Sequence, residues 1–205
     1  MTSLWLTRAL EESRARGFLG PGAIEPQIQH ATGFVSAWNT YRADPPTTIL
    51  DLGSGGGLPG LVLLETWLRP TTFLDAMEKR TTFLLEVLDS DDVPSGGRVW
   101  RGRAEELARE HAGDSRFSLV TARSFGPPAV TAECAVRFLE VGGLLIVSEP
   151  PEGPDRWSAG GLDELGLESR GTFRDSAGYK VIEKVRPTPL RFPRSIGTPG
   201  KNPLF

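Results

Sequence analysis

Cysteine is almost missing. Cys134 is the only one in the 205-residue chain, which excludes an internal disulfide and fits a reducing compartment. Histidine is nearly as scarce, with only His30 and His111, so the chain offers no His/Cys spacing suited to a metal ion and no serine with a plausible triad. His111 closes a charged helical stretch and reads as a solvated residue at a helix C-terminus. No apolar run approaches the roughly 18 residues needed to span a bilayer. The opening segment, MTSLWLTRALEESRARG, carries glutamates and arginines inside any would-be apolar core, so it does not read as a secretion signal. A surplus of positive charge is also lacking. The formal net charge is −3, so any contact with nucleic acid has to use a local patch. Together these absences predict a soluble, cytoplasmic protein without bound metal and without a membrane partner. They leave the oligomeric state open.

What is present is an alternation of short strand-like and longer helix-like segments. Residues 4–16 and 24–41 read as helices. In the second, Ile24, Ile28, Ala31, Val35 and Trp38 recur at spacings of three and four along one face. RADPP at 42–46 ends it, because proline disfavours helix at itself and at the residue before. Strands are then expected at TTILDLG, TTFLDAM, RVWRG, FSLVTARSF and GGLLIVSEP. Helices are expected at 58–69, 78–90, 103–111 and 127–140. This βαβ alternation predicts an α/β, Rossmann-like doubly wound sheet, mostly parallel, with helices on both faces. Residues 150–161 read as a loop. LESRGTFRD and YKVIEKVR read as a C-terminal antiparallel pair, and the proline-rich segment 187–205 as irregular. The expected organisation is a helical N-terminal cap over 1–44 and a main domain over 45–205.

The most informative stretch is TTILDLGSGGGLPG, from Thr47 to Gly60. Gly55, Gly57 and Gly60 match G-x-G-x-x-G by letter, a weak dinucleotide signal on its own. A pyrophosphate would rest on backbone N–H groups at the helix start, and Pro59 removes one of them. Asp51 lies two residues before the turn, where a carboxylate can accept from a cationic amino group but is a poor neighbour for a pyrophosphate. Asp75, at the end of the next strand, can accept both hydroxyls of a ribose. These features favour S-adenosylmethionine, which has an amino acid, a sulfonium and an adenosine but no phosphate. Five glycines within eight residues, including Gly53, Gly55 and Gly57, carry an entropic cost that a ligand-free turn does not explain.

The acceptor is narrowed by further absences. After the fourth strand the chain reads TARSFGPP, not the N/D-P-P-Y/F type of turn that serves exocyclic amine methylation. Cys134 sits mid-helix in AVTAECAVRFL and reads as packed core, not as the nucleophile needed to methylate a pyrimidine carbon. What remains is transfer to an atom that is already nucleophilic, such as a ring nitrogen, for which positioning suffices and no general base is needed.

DLGSGGGLPG, DAMEKRTTFL, RGRAEELA, TARSFGPP and the tail FPRSIGTPGKNPL together resemble the ribosomal RNA small subunit methyltransferase G family, also called glucose-inhibited division protein B. The resemblance runs from about Gly20 to the C-terminus. It implies a class I S-adenosylmethionine-dependent methyltransferase acting on nitrogen-7 of a guanine in 16S ribosomal RNA, with that RNA or the small ribosomal subunit as partner. It also implies cofactor contacts at Gly53, Leu58, Asp75, Ala104 and Glu105, and at Arg123 on the boundary with the active site. Arg123 and Arg103 are expected to orient base and phosphates. His30, Arg194 and Lys201 are expected on the substrate side, where basic residues outnumber Asp175 and Glu183 from Arg170 onward. Two departures stand out: Glu149 occupies the end of the fifth strand, where the family usually has a lysine followed by glycine, and Ser195 replaces a commonly basic residue. A paralogue acting on a small molecule or protein, and a non-catalytic cofactor-binding module, stay open at this point.

Overall fold

The computed structural model describes residues 2–110, 117–150, 152–175 and 177–205, so His111 lies outside the described residues. Two helices, α1 (Leu4–Ala15) and α2 (Ile24–Tyr41), precede the first strand, β1 (Ile49–Leu52). Then follow α3 (Gly60–Trp67), β2 (Thr71–Asp75), α4 (Glu78–Leu88), β3 (Gly97–Arg101), α5 (Ala104–Glu110), β4 (Phe117–Ala122), α6 (Pro128–Ala135) and β5 (Leu139–Glu149). The chain closes with α7 (Ala159–Leu165), β6 (Leu167–Arg174), β7 (Gly178–Lys184) and α8 (Thr198–Lys201).

The seven strands form one sheet in the order β3-β2-β1-β4-β5-β7-β6. β1 to β5 pair in parallel, and β7 runs antiparallel between β5 and β6. β1 lies between β2 and β4, so the sheet reverses its winding there and opens a crevice at the strands' C-terminal ends. The central strands β1, β2 and β4 are buried at every residue, as expected of parallel strands covered on both faces.

Alternate residues feed opposite cores. Leu50, Leu52, Val120, Ala122, Leu145 and Val147 pack on the side of α5, α6 and α7. Ile49, Leu119, Leu144 and Ile146 pack on the other side, with Phe34 and Trp38 of α2. α1 and α2 share a core with the main chain fold: Trp5, Leu6, Leu10 and Ala31 cluster with Leu61, Phe73 and Phe83. α2 also meets β7 tightly. A Cβ on Gly33 would stand 2.0 Å from the Tyr179 hydroxyl oxygen, which donates to the His30 carbonyl at 2.7 Å.

Three segments differ from the sequence-based expectation. α6 stops at Ala135, not at 140, because β5 already pairs with β4 at Leu139. The chain that leaves α6 is held by a buried ammonium: Lys184 Nζ donates to the carbonyls of Val136 at 2.9 Å and Leu139 at 2.8 Å. The stretch expected as loop runs into helix α7 at Ala159; Ser158 caps it by accepting from Gly161 N, and Gly166 (φ +84°) ends it. The proline-rich tail is docked. Phe192 is 2% exposed, Phe205 fills the space beside Gly161, and Arg109 and Arg137 donate to the carbonyls of Pro193 and Pro189.

Candidate active site

The crevice is built from the turns that follow β1, β2, β4 and β5. In the turn after β1 the backbone donors point inward. Gly53 N and Ser54 N donate to Leu74 O at 2.8 and 2.9 Å, Gly55 N to the Asp75 carboxylate at 2.9 Å, and Gly57 N to Ser54 O at 2.8 Å. Gly60 N donates to Asp51 Oδ2 at 3.1 Å, and Pro59 has no N–H to give. A phosphate cradle needs such donors free and convergent on the ligand. Here they are used to hold the turn, so the residues fit a phosphate-free ligand and not a pyrophosphate.

Gly53 (φ +71°) and Gly55 (φ +54°) adopt left-handed backbone that favours glycine. Gly53 is constrained twice, because a Cβ there would stand 2.6 Å from the Phe125 ring. The loop leans on α1, where Ser13 Oγ donates to Gly56 O at 2.9 Å.

Three adjoining cavities open over these turns. The first, about 290 Å³, is lined by Gly53, Asp75, Arg103, Ala104 and Glu105, with Cys134 also contributing to its wall. Asp75 is 5% exposed and its carboxylate is fixed by Gly55 N and by Met77 N at 2.8 Å, with Arg80 at 3.5 Å. A carboxylate held this way keeps lone pairs for two ribose hydroxyls. The second cavity, about 360 Å³, is lined by the glycine loop, Leu58, His30 and Arg123. The third, about 500 Å³, lies between His30, Ser124, Phe125, Glu149 and Arg156. Ser124 lines all three, and with φ +56° it is one of two non-glycine residues at positive φ among those described. Such a conformation is uncommon outside glycine and here aims the turn after β4 into the junction of the cavities.

The charges behind the junction form one group. Asp51 is fully buried, and burial pushes its carboxyl up to about 6; hydrogen bonds from Thr121 and Gly60 N and the charge of Arg123 oppose that rise. Burial lowers the Arg123 guanidinium, against the favourable charge of Asp51. Burial, and then the charge of Arg123, lower His30 below its ordinary 6.5, which keeps its imidazole neutral at pH 7. His30 Nε2 is buried without a hydrogen-bond partner. The Cys134 thiol is pushed far up, first by burial and then by Glu105 and Glu133, so it is inert as a nucleophile.

The structure gathers Gly53, Gly55, Leu58, Asp75, Ala104, Glu105, Arg123 and His30 on the cavity walls. Others are elsewhere. Asp51 is 1% exposed and accepts from Thr121 Oγ1 at 3.0 Å and Gly60 N, so it braces the turn from beneath and lines none of the three cavities. Gly57 (φ +98°) packs on Leu61 and is likewise structural. Arg103 lies on the rim of the Asp75 cavity, paired with Glu105 at 3.5 Å, and shares no cavity with Arg123. Arg194, expected to face substrate, is locked to the fully buried Glu133 by contacts of 2.7 to 3.1 Å and anchors the tail. Lys201 is exposed in α8 and lines none of the three cavities. Ser124, Phe125 and Arg80 were not legible beforehand. Only the placement of Arg80 five residues after a strand-end aspartate gave a hint.

This sheet order, with its antiparallel β7 and a strand-end carboxylate facing a cavity beside a glycine turn, is that of the class I S-adenosylmethionine-dependent methyltransferases. Solved structures of similar fold include a mutant of MtNAS in complex with S-adenosylmethionine (TM-score 0.63, 12% identity, 88% of this chain and 73% of that one). Another is a putative O-methyltransferase from Klebsiella pneumoniae (TM-score 0.62, 15% identity, 91% and 92% covered). Residues 16–149 match the family described as rRNA small subunit methyltransferase G. The proteins named ribosomal RNA small subunit methyltransferase G from Symbiobacterium thermophilum and Deinococcus deserti are 36% and 33% identical to this chain, over 88% and 96% of it and 79% and 85% of their own lengths. The chain belongs to the rRNA small subunit methyltransferase G family and is an S-adenosylmethionine-dependent methyltransferase.

Proposed function

We propose that the protein methylates nitrogen-7 of a guanine in 16S ribosomal RNA, presented by the small ribosomal subunit. The observation that carries this reading is the third cavity, taken as the acceptor cavity, which has room for a base and, among the described residues, only weak or engaged proton acceptors on its wall. Burial and the charge of Arg123 lower the His30 pKa and make it a weak base, and Glu149 is occupied by Arg156 and Trp157. Guanine nitrogen-7 needs no general base, because its lone pair is available at neutral pH. S-adenosylmethionine, when bound, supplies an electrophilic methyl carbon on a sulfonium.

The chain's own part is binding and alignment. Asp75 accepts from the ribose hydroxyls, Ala104 and Glu105 flank the adenine, and Gly53 with Leu58 borders the methionine end. His30 stands where the second and third cavities join, Arg123 lines the second beside it, and the two orient the base. Arg103, on the rim, and the exposed Lys201 offer charge to RNA phosphates. The negative charge of Glu149, which left a small-molecule acceptor open on sequence grounds, is offset by Arg156 at 2.8 Å. The test is to map 7-methylguanosine in small-subunit RNA from strains with and without the gene, then to add purified protein to particles from the deletion strain. One modification should disappear and be restored; equal modification in both strains would overturn the reading.

A further inference from the structure

Glu149 ends β5 at the wall of the acceptor cavity, and both of its carboxylate oxygens are used. Oε2 accepts from Arg156 Nη2 at 2.8 Å and Nε at 3.3 Å, and Oε1 accepts from the Trp157 indole N–H at 3.2 Å. The residues on either side of Arg156 are fixed as well. Asp155 pairs with Lys180 at 2.7 Å, a lysine only 2% exposed, and also accepts from Trp157 N at 3.0 Å. Trp157 is 7% exposed and belongs to the core cluster beneath α7.

Arg156 is therefore a guanidinium on a short segment pinned on both sides. It is aimed by a carboxylate that takes its Nε–Nη2 edge and leaves Nη1 unused. Its side chain is 47% exposed whereas that of Glu149 is 13% exposed, so the cation is the part presented outward. It lines the acceptor cavity together with His30, Ser124 and Phe125, and lies away from the Asp75 cavity. A planar cation with free donors, already oriented, suits an anionic oxygen and loses little freedom on binding it. Its free donors cannot be meant for the atom to be methylated, whose lone pair must stay available.

We infer that Arg156 is an RNA-binding residue that grips a backbone phosphate next to the target guanine, and that Glu149 is its positioning residue. This rests on the reading of the protein as a ribosomal RNA methyltransferase. It adds a phosphate contact, made from the end of β5 and the 155–157 segment, to that reading.

The test uses the full-length protein and small ribosomal subunits from a strain lacking the gene, and compares wild type with Arg156→Ala, Arg156→Lys and Glu149→Gln. Arg156→Ala should raise KM for the particle by about tenfold or more, the cost of losing a charge-assisted hydrogen bond. The slope of log affinity against log salt should become shallower by about one phosphate contact. S-adenosylmethionine affinity by calorimetry should not change. Arg156→Lys should keep the salt slope but only part of the affinity, since it retains charge and loses the planar fork. Glu149→Gln should raise KM while leaving the salt slope near that of wild type, because the cation remains but is less well aimed. An unchanged KM and salt slope in Arg156→Ala, beside an active wild type, would overturn the inference alone. A wild type that cannot methylate the particle would remove the underlying reading and this inference with it.

Discussion

The two halves of the crevice are held by different kinds of contact. On the β1–β2 side, the strand-end carboxylates are satisfied chiefly by backbone N–H groups of the turns, with Thr121 Oγ1 of β4 also donating to Asp51. Asp51 accepts from Gly60 N and Asp75 from Met77 N and Gly55 N. On the β4–β5 side Glu149 is satisfied by the Arg156 and Trp157 side chains, and the buried Arg123 is favoured by the charge of Asp51. The first half is a preformed receptacle whose geometry is nearly self-contained. The second half depends on the 155–157 segment and the buried Lys180, and it is where members of one fold can diverge in what they accept.

If this division holds, disrupting long-range anchors should damage stability and leave the cofactor turn intact. The largest effect is expected for Arg194→Ala, which leaves the fully buried Glu133 carboxylate with only the backbone N–H of residue 194 and should cost about 3 kcal/mol, read as a lower denaturation midpoint in urea. A loss below about 1 kcal/mol would show that the tail is not held by this pair. Asp75→Ala probes the other half. Calorimetry should show S-adenosylmethionine affinity falling roughly 100-fold, from the loss of charged hydrogen bonds to the ribose and of the anchor for Gly55 N.

Gly53→Ala is a milder break of the same receptacle. It forces a Cβ into positive φ and against Phe125, and cofactor affinity should fall by about tenfold, with the particle KM little changed. The subtlest effect concerns Asp51, which links the two halves through Arg123. Its carboxyl titrates near 6 in the folded protein against 3.8 for an unperturbed group. The folded state thus takes up a proton before the unfolded chain does, giving stability that is full below about pH 3.8 and lost as pH rises through about 6. Asp51→Asn should flatten the stability profile in that window; an unaltered slope between those pH values would show that Asp51 is not the titrating group.

Legibility followed the same division. Asp75, Gly53 and Leu58 lie in contiguous motifs whose spacing along strand, turn and helix start is set within a few residues, and they line the cavities. The same local reasoning misplaced Asp51, because nothing in the sequence tells whether a strand-end carboxylate faces outward or turns back under the loop to meet Thr121. It misjudged Arg194, whose partner Glu133 lies 61 residues away on α6 and looks like an ordinary helical glutamate. Glu149 reads as a misplaced negative charge because its partner Arg156 lies in a stretch that reads as loop. The end of α6 was also hidden, since Lys184 reaches it from a strand almost fifty residues later.

The amino-acid sequence by itself determined the alternating pattern of strands and helices, and from it the doubly wound sheet. It also determined the glycine turn and its proline, and through them a cofactor without phosphate. These depend on backbone preferences and on periodicity, which act over a few residues. Only the tertiary structure decided which charges remain available to a ligand. A charged side chain is settled by whichever opposite charge folding brings within about 3 Å, and burial decides how strongly it must be paired. That is why Arg194 became an anchor, Asp51 a brace, and Arg156, in a stretch that read as loop, the cation at the acceptor cavity.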